Sequence, residues 1–289
     1  MTDPPPSEHI VDVLIRERAP GLSRSWAWPL VRPLLYRLLD YRQARAMAEA
    51  VAPLSGDEAF AYVSDLLKLR VETVGADHVP RQGRLIVVFN HPTGLADGVA
   101  AYDGLKPLRP DVIFFANADA LRVNPRLAET IIPVEWVEAK RTREKMRLTL
   151  ERAHAALEAE RPLVISPAGR IARHAEDGLW IDPPWQASAA SLARRHKAPI
   201  LPVHIAGPPS NLFRWFARLS PELRDVTLFH ELLNKRGGRF RLTFGAPIPP
   251  EAIGDPGHFT ERLKRYVERE LPGNPEAVFA RVADQPLPP

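Results

Sequence analysis

The chain has 289 residues, of which 45% are hydrophobic, and its 39 basic and 35 acidic residues give a formal net charge of +4. This apolar content suffices for a large folded core, and the complete lack of cysteine excludes disulfides, thiolate metal ligands and a cysteine nucleophile. Because the first residues do not resemble a signal peptide and no stretch reaches the roughly 20 apolar residues of a membrane-spanning helix, we expect a cytoplasmic protein that does not cross a membrane.

Residues 1–68 are predicted to form an N-terminal helical segment. We expect a short helix near Ile10–Arg18 and a longer helix over residues 31–51. A third helix should follow the start signal Ser55-Gly56-Asp57-Glu58.

The same segment is basic and amphipathic. Seven arginines and only two acidic residues lie between positions 16 and 45, among tryptophans, leucines and tyrosines. Such a segment can dock on an anionic membrane surface at the inner face of the cell membrane, or it can pack its apolar stripe on the core and leave its arginines in water. No nucleic-acid-binding motif accompanies the charge, so no nucleic-acid partner is expected.

Residues 69–271 are predicted to form one α/β domain. Short apolar runs alternate there with segments of helical period, at 69–74, 85–89, 112–115, 131–134, 163–165, 200–205 and 240–244. This alternation predicts a mostly parallel central sheet flanked by helices. The clearest helix covers 142–160, with Met146, Leu150, Ala153 and Leu157 on one stripe. Residues 272–289 are rich in proline and are expected to be a poorly ordered tail.

The turn after the apolar run 85–89 is the most informative segment. It has the sequence Asn90-His91-Pro92-Thr93-Gly94-Leu95-Ala96-Asp97-Gly98. Asp97 can orient one imidazole nitrogen of His91 and leave the other free to remove a proton from a hydroxyl group. The alternative is structural, with Asp97 as a helix cap and His91 as a satisfied polar residue.

Basic loops follow other predicted strands, where ligands collect in an open α/β sheet. Lys140 and Arg141 follow the run 131–134, while Gly169, Arg170 and Arg173 follow the run 163–165. These loops predict a hydroxylated, anionic substrate, although each loop alone is explained as well by a solvated surface. No nucleotide-binding glycine motif is present and the histidines lack metal-ligand spacing, so neither a metal nor a tightly bound cofactor is expected.

Taken together, the motifs resemble those of the glycerolipid acyltransferase superfamily. They are the His91/Asp97 turn, the segment Ile132-Pro133-Val134, the loop Pro167-Ala168-Gly169, the strand 199–203 and the run Glu231-Leu232-Leu233-Asn234-Lys235-Arg236-Gly237. The first and last of these are most similar to the bacterial branch of lyso-ornithine-lipid acyltransferases. The resemblance covers roughly residues 71–249 and, weakly, the helical N-terminus.

The resemblance implies transfer of a fatty acyl chain from an acyl carrier protein or coenzyme A thioester to the hydroxyl of a lysolipid, either lysophosphatidic acid or a lyso-amino-acid lipid. His91 would be the base and Asp97 its orienting partner. The substrate-binding residues implied are Asn90, Gly94, Lys140, Arg141, Gly169, Arg170, Arg173, Asn234 and Lys235.

Two departures from the superfamily pattern affect this interpretation. His91 and Asp97 are one residue further apart than usual, as in the lyso-ornithine-lipid branch. The third motif, commonly Pro-Glu-Gly-Thr-Arg, is here Pro167-Ala168-Gly169-Arg170-Ile171, which leaves room for a head group other than phosphate, such as an amino acid. Two other functions stay open, a non-catalytic lipid-binding scaffold and an acyl-thioester hydrolase in which His91 activates water.

Overall fold

The computed structural model describes residues 8–135, 141–174, 180–208 and 211–279. Its strands are β1 (Arg70–Val74), β2 (Leu85–Phe89), β3 (Ile113–Asn117), β4 (Ile131–Val134), β5 (Pro162–Ile165), β6 (Arg173–His174), β7 (Trp180–Ile181), β8 (Ile200–Ala206) and β9 (Arg239–Phe244). Seven of these form one sheet in the order β1-β9-β8-β2-β5-β3-β4, and β6 and β7 form a separate hairpin. Within the sheet only β8 and β9 pair antiparallel, which confirms the predicted mostly parallel α/β fold.

Helices cover both faces of this sheet. They are α1 (Ile10–Arg18), α2 (Pro20–Arg24), α3 (Trp28–Leu38), α4 (Tyr41–Val51), α5 (Gly56–Leu67), α6 (Leu95–Leu105), α7 (Asp119–Val123), α8 (Arg143–Glu158), α9 (Ser188–His196), α10 (Asn211–Leu219), α11 (Pro221–Asp225), α12 (Leu228–Leu233) and α13 (Pro256–Arg265). Side chains of β2 alternate between two cores, with Val87 packed beside α6 and the N-terminal helices and Val88 packed beside α8, α9 and α13. The sheet is therefore buried on both faces at its centre.

The N-terminal helices share the core of the α/β domain. Val11 and Leu35 are buried in the same cluster as strand residues. Helix α1 is further held by an ion pair between Arg18 and Asp119, whose atoms Nη2 and Oδ2 lie 2.8 Å apart. Among the helices of the described ranges, none has the length and apolar character needed to cross a bilayer.

The single helix predicted over residues 31–51 is wrong. Asp40 has a left-handed backbone conformation, with φ 53° and ψ 35°, and separates α3 from α4. Because of this break, the hydroxyl groups of Tyr36 and Tyr41 both donate to the Asp12 carboxylate, at 2.8 and 2.6 Å. Residues five apart lie on different faces of a straight helix, so an unbroken helix would not bring both tyrosines to one carboxylate.

The apolar stripe predicted for the helix over 142–160 is correct only in its second half. Ala153 and Leu157 are buried, whereas the side chains of Met146 and Leu150 are 50% and 48% exposed. The first half of α8 therefore extends beyond the core. At the C-terminus, residues 272–279 pack on α13 through Phe279, whose ring centroid lies 5.3 Å from that of Phe259, and the rest of the predicted tail lies outside the described residues.

Candidate active site

The turn after β2 lies at the carboxyl edge of the sheet, between the ends of β8 and β5. Asn90 fixes its first residue, since its side-chain amide donates to the carbonyl of Ile205 at 3.0 Å and its side-chain oxygen accepts from the Ile205 N–H at 2.7 Å. Both groups of this amide are used in holding the turn to β8. The substrate contact expected of Asn90 stays a prediction.

His91 and Asp97 are in direct contact, as the sequence predicts. Nδ1 of His91 lies 2.9 Å from Oδ2 of Asp97. A carboxylate only accepts hydrogen bonds, so Nδ1 carries the hydrogen and Nε2 has the free lone pair. Nε2 makes no hydrogen bond within the described residues, and the His91 side chain is 20% exposed.

The Asp97 carboxylate is fully buried at the start of α6 and accepts three further hydrogen bonds. They come from the Thr93 N–H at 2.9 Å, the Gly94 N–H at 3.0 Å and the Thr93 hydroxyl at 2.6 Å. Asp97 therefore does both things considered from the sequence, because it caps the turn and also orients His91. These contacts leave it little freedom to rotate.

The pKa of His91 is raised above its ordinary value of 6.5. Burial lowers this pKa, but the hydrogen bond and charge of Asp97, with the charge of Asp182, outweigh burial. A histidine of raised pKa binds a proton more strongly, which suits a base that acts on a hydroxyl group near neutral pH.

Gly94 permits the tight geometry of the turn. Its backbone has φ 96° and ψ −138°, a region that side chains other than glycine rarely adopt. A Cβ atom here would lie 2.9 Å from Cδ1 of Ile171 in the loop after β5. The same loop is tied to the turn by the Ala172 N–H, which donates to the His91 carbonyl at 2.9 Å.

Asp182 is a site residue that the sequence reasoning missed. Its two carboxylate oxygens lie 3.0 and 3.1 Å from the backbone nitrogen of His91, and one of them accepts from the Trp185 indole N–H at 2.9 Å. Burial raises the pKa of Asp182 to about 6. The only sequence signal was a carboxylate followed by a tryptophan after the third motif, and nothing local connects that pair to His91.

The loop after β5 presents its basic residues to solvent. Gly169 is the last residue of a turn closed by its N–H to the Ser166 carbonyl, and the space around its Cα is open. Arg170 and Arg173 are exposed, and within the described ranges neither forms an ion pair. Among the described residues, no carboxylate competes with an anionic ligand for these two guanidinium groups.

The other predicted binding residues that the structure describes have hydrogen-bond or ion-pair partners outside this turn. Lys140 lies outside the described residues, and Arg141 donates from Nε to the carbonyl of Glu135 at 3.0 Å. The side chain of Lys235 is buried in an ion pair with Glu231, with 3.4 Å between Nζ and Oε2, and Asn234 also donates to Glu231. The structure thus gives the run 231–237 a packing role, and its substrate contacts stay predictions.

Comparisons with known proteins find similarity to acyltransferases. A family model described as Acyltransferase matches residues 70–206, from the start of β1 to the end of β8. A protein named lyso-glycine lipid O-acyltransferase from Bacteroides thetaiotaomicron is 27% identical over 219 residues, covering 70% of this chain and 76% of that protein. A protein of the same name from Phocaeicola vulgatus is 28% identical over 192 residues, covering 64% of this chain and 66% of its own.

A solved structure is also similar to this one. It is the crystal structure of the 1-acyl-sn-glycerophosphate acyltransferase PlsC from Thermotoga maritima, with a TM-score of 0.48 and 15% identity, covering 91% of this chain and 96% of that chain. The range matched by the family model contains His91, Asp97, Gly169 and Asp182.

Proposed function

We propose that this chain is a lysolipid O-acyltransferase of the glycerolipid acyltransferase superfamily, with His91 as its base and Asp97 as the residue that orients His91. The observation that carries the proposal is the 2.9 Å contact between His91 Nδ1 and Asp97 Oδ2, with Nε2 of a partly exposed imidazole left free. Its donor is an acyl thioester of acyl carrier protein or coenzyme A.

The proposed reaction uses this geometry as follows. Nε2 of His91 removes the proton of the acceptor hydroxyl while Asp97 stabilises the imidazolium that forms. The acceptor oxygen attacks the thioester carbonyl, a C–O bond forms and the C–S bond breaks. The proton held by His91 then neutralises the departing thiolate, so no acyl-enzyme intermediate is needed. The turn contributes positioning as well, since Asn90 and Asp182 fix the backbone on which His91 sits.

We take the acceptor to be a lysolipid with an amino-acid head group. The two curated relatives are named for lyso-glycine lipid. In this chain the third motif has Ala168 where the superfamily has glutamate, and Arg170 and Arg173 are exposed. A carboxylate is a planar anion that a guanidinium group binds through two parallel hydrogen bonds, so these arginines suit such a head group.

The N-terminal helices are proposed to bring the protein to the membrane that holds this acceptor. Trp26, Leu30 and Leu34 have side chains that are 87%, 75% and 72% exposed. Around them lie four exposed arginines without a carboxylate partner in the described ranges, Arg24, Arg32, Arg37 and Arg42. Apolar side chains beside cations suit the head-group layer of an anionic membrane.

Contacts on both sides of His91 fix these helices to the edge of the sheet that carries the turn. Arg18 in α1 pairs with Asp119 in α7, which follows β3. The Glu222 carboxylate in α11, which follows β8, accepts from the backbone N–H groups of Gly21 and Leu22 in α2, at 2.9 and 2.8 Å. Because β8, β2, β5 and β3 are parallel neighbours, the end of α1 and the whole of α2 lie at the same end of the molecule as His91, and α3 begins four residues after α2 ends.

Transfer itself is the test. Purified protein is incubated with labelled acyl carrier protein or coenzyme A thioesters and with lyso-glycine lipid or lysophosphatidic acid, and products are identified by mass spectrometry. We expect a two-chain product from the lyso-amino-acid lipid. His91→Ala should lower kcat/KM by about 100- to 10,000-fold, the usual contribution of a general base.

His258→Ala is the matched control, because His258 is exposed at the start of α13 and its backbone N–H donates to Asp255. It should leave transfer unchanged. Equal rates for wild type and His91→Ala would reject His91 as the base. Acyl release without acceptor would instead show a thioester hydrolase, and lipid binding without turnover would show a scaffold.

A further inference from the structure

An open cleft of about 690 Å³ lies beside the proposed active site and takes no part in the mechanism above. It is formed by the first residues of β1, the first residues of β9 and the end of β8, including Arg70, Arg239, Arg241 and Gly207. Because β9 runs antiparallel to β8, these three segments meet at the carboxyl end of β8. This is the edge of the sheet that also carries His91.

The arginines of the cleft are placed next to one another. Arg70 and Arg239 are directly paired in the register of β1 and β9, and both side chains are exposed. Glu72 is the acidic residue of the cleft and lies 3.9 Å from Arg241. Within the described residues, Arg70 and Arg239 have no carboxylate partner. Like charges opposite each other on neighbouring strands are destabilising, and a bound anion would offset that cost.

One residue connects the cleft to the catalytic turn. A Cβ atom on Gly207 would lie 2.5 Å from Cε1 of Phe240 and 2.8 Å from Cγ2 of Thr93. Thr93 donates two hydrogen bonds to Asp97, the partner of His91. Gly207 is therefore part of the wall of the cleft and is also packed against the turn that supports the proposed base.

The cleft opens away from the surface proposed to dock on the membrane. Strand alternation places Phe240 and Leu242 in the core shared with α6 and the N-terminal helices, and Arg239 and Arg241 on the opposite face of the sheet. A ligand of the cleft thus approaches from water. The two substrates of an acyl transfer from thioester to lysolipid differ in this respect, since the acceptor stays in the bilayer and the donor is water-soluble.

We propose that this arginine cleft binds the phosphate end of the acyl donor, the phosphopantetheine arm that acyl carrier protein and coenzyme A thioesters share. The inference rests on the proposed function for its use of a thioester donor. Arg70 and Arg239 grip the phosphate, and the arm passes Gly207 to place the thioester carbonyl at His91. The arginines are thus binding residues for the donor, distinct from Arg170 and Arg173 on the acceptor side.

The test compares two donors that differ by one phosphate group. S-acyl 4′-phosphopantetheine and S-acyl pantetheine, with the same acyl chain, are used with saturating lysolipid, and acyl-coenzyme A and acyl carrier protein donors are run beside them. We expect the kcat/KM of wild type to be about tenfold or more higher with the phosphorylated donor, because hydrogen bonds to a charged group contribute a binding free energy of that size. Arg70→Gln combined with Arg239→Gln should bring that ratio close to one. Arg147→Gln, an exposed arginine of α8, is the control and should keep the wild-type ratio.

A folding defect would lower the rate with both donors and leave their ratio unchanged, so the ratio separates binding from stability. An unchanged ratio in the double variant overturns the proposal, and so does a raised KM for the lysolipid with the ratio intact, since the cleft would then serve the acceptor. If wild type transfers no acyl chain at all, the proposed function fails. Calorimetric titration with 4′-phosphopantetheine and with pantetheine then still tests whether the cleft binds the phosphate group. Phosphate-dependent binding that the double variant loses supports the cleft as a phosphate site, and its absence rejects it.

Discussion

The Asp97 carboxylate orients the imidazole of His91 and also raises the pKa of His91. The pH profile of kcat/KM can separate these two effects. In Asp97→Asn the amide removes the charge, so burial acts on His91 with less opposition and its pKa falls. Because the base must be neutral, the acidic limb of the pH profile of kcat/KM should move to lower pH. The rate on the plateau should fall by about 100- to 10,000-fold, since the fixed orientation is lost.

The measurement is kcat/KM for acyl transfer over pH 5–9 in wild type and in Asp97→Asn. Wild type should have its acidic limb above pH 6.5, the ordinary pKa of histidine. Asp103→Asn is a suitable control, because Asp103 lies in the same helix and accepts from Ser64 instead. A limb that stays in place in Asp97→Asn would show that Asp97 does not set the pKa of the group that controls the rate.

Asp182 contacts three elements of the fold, so the free energy of unfolding should depend on whether its carboxyl group is ionised. Its carboxylate accepts from the backbone of the His91 turn, it follows β7 in the chain, and its own N–H donates to Glu268 after α13. Burial raises the pKa of Asp182 from 3.8 to about 6, so between these values the folded state holds a proton that the unfolded state releases. The free energy of unfolding should therefore decrease as pH rises through this window.

Asp182→Asn removes this titration. Relative to wild type, the variant should gain about 3 kcal/mol between pH 4 and pH 7, at about 1.4 kcal/mol per pKa unit. Urea unfolding at each pH measures the difference. Asp255→Asn should show the opposite trend, because the N–H of His258 holds the pKa of the exposed Asp255 below its usual value and that stabilisation is lost as pH falls. A pH-independent difference for Asp182→Asn would contradict the assignment.

The elements predicted best from the sequence are those whose local residue pattern does not depend on which elements pack against them. A strand buried on both faces is an apolar run in any parallel sheet, and this pattern predicts β2, β5 and β8 at the centre of the sheet. The break at Asp40 was missed because the contact that it allows, two tyrosine hydroxyl groups on the Asp12 carboxylate, involves another helix. The exposure of Met146 was missed for the same kind of reason, since periodicity does not tell where the core ends.

The same difference between local and distant contacts explains which residues of the candidate site could be predicted from the sequence. His91 and Asp97 lie in one turn, so their spacing alone predicted the contact between them. Asp182 is 91 residues from His91 in sequence, and Arg70 faces Arg239 from the other end of the domain. Only the sheet order brings these residues to one edge, and no local pattern encodes that order.

At the scale of the whole molecule, we expect the bilayer to contact the protein beside His91, through the exposed apolar side chains of α3. Leu34→Asp places a charge in the middle of this exposed surface and should weaken binding to vesicles of phosphatidylcholine and phosphatidylglycerol by about tenfold or more, the equivalent of one buried leucine. Leu148→Asp is the matched control, since Leu148 is 45% exposed on α8, and it should bind as wild type does. Vesicle flotation at low and high salt measures the fraction bound and its dependence on charge. This dependence should be steep, because the four exposed arginines near the surface have no carboxylate partner in the described ranges. Equal loss of vesicle binding in both variants, or vesicle binding that does not depend on salt, would place the membrane contact elsewhere on the molecule.

The rate of transfer to a short-chain lysolipid, dissolved below its critical micelle concentration, should be unchanged in Leu34→Asp, because the base, its partner and the donor cleft are unchanged.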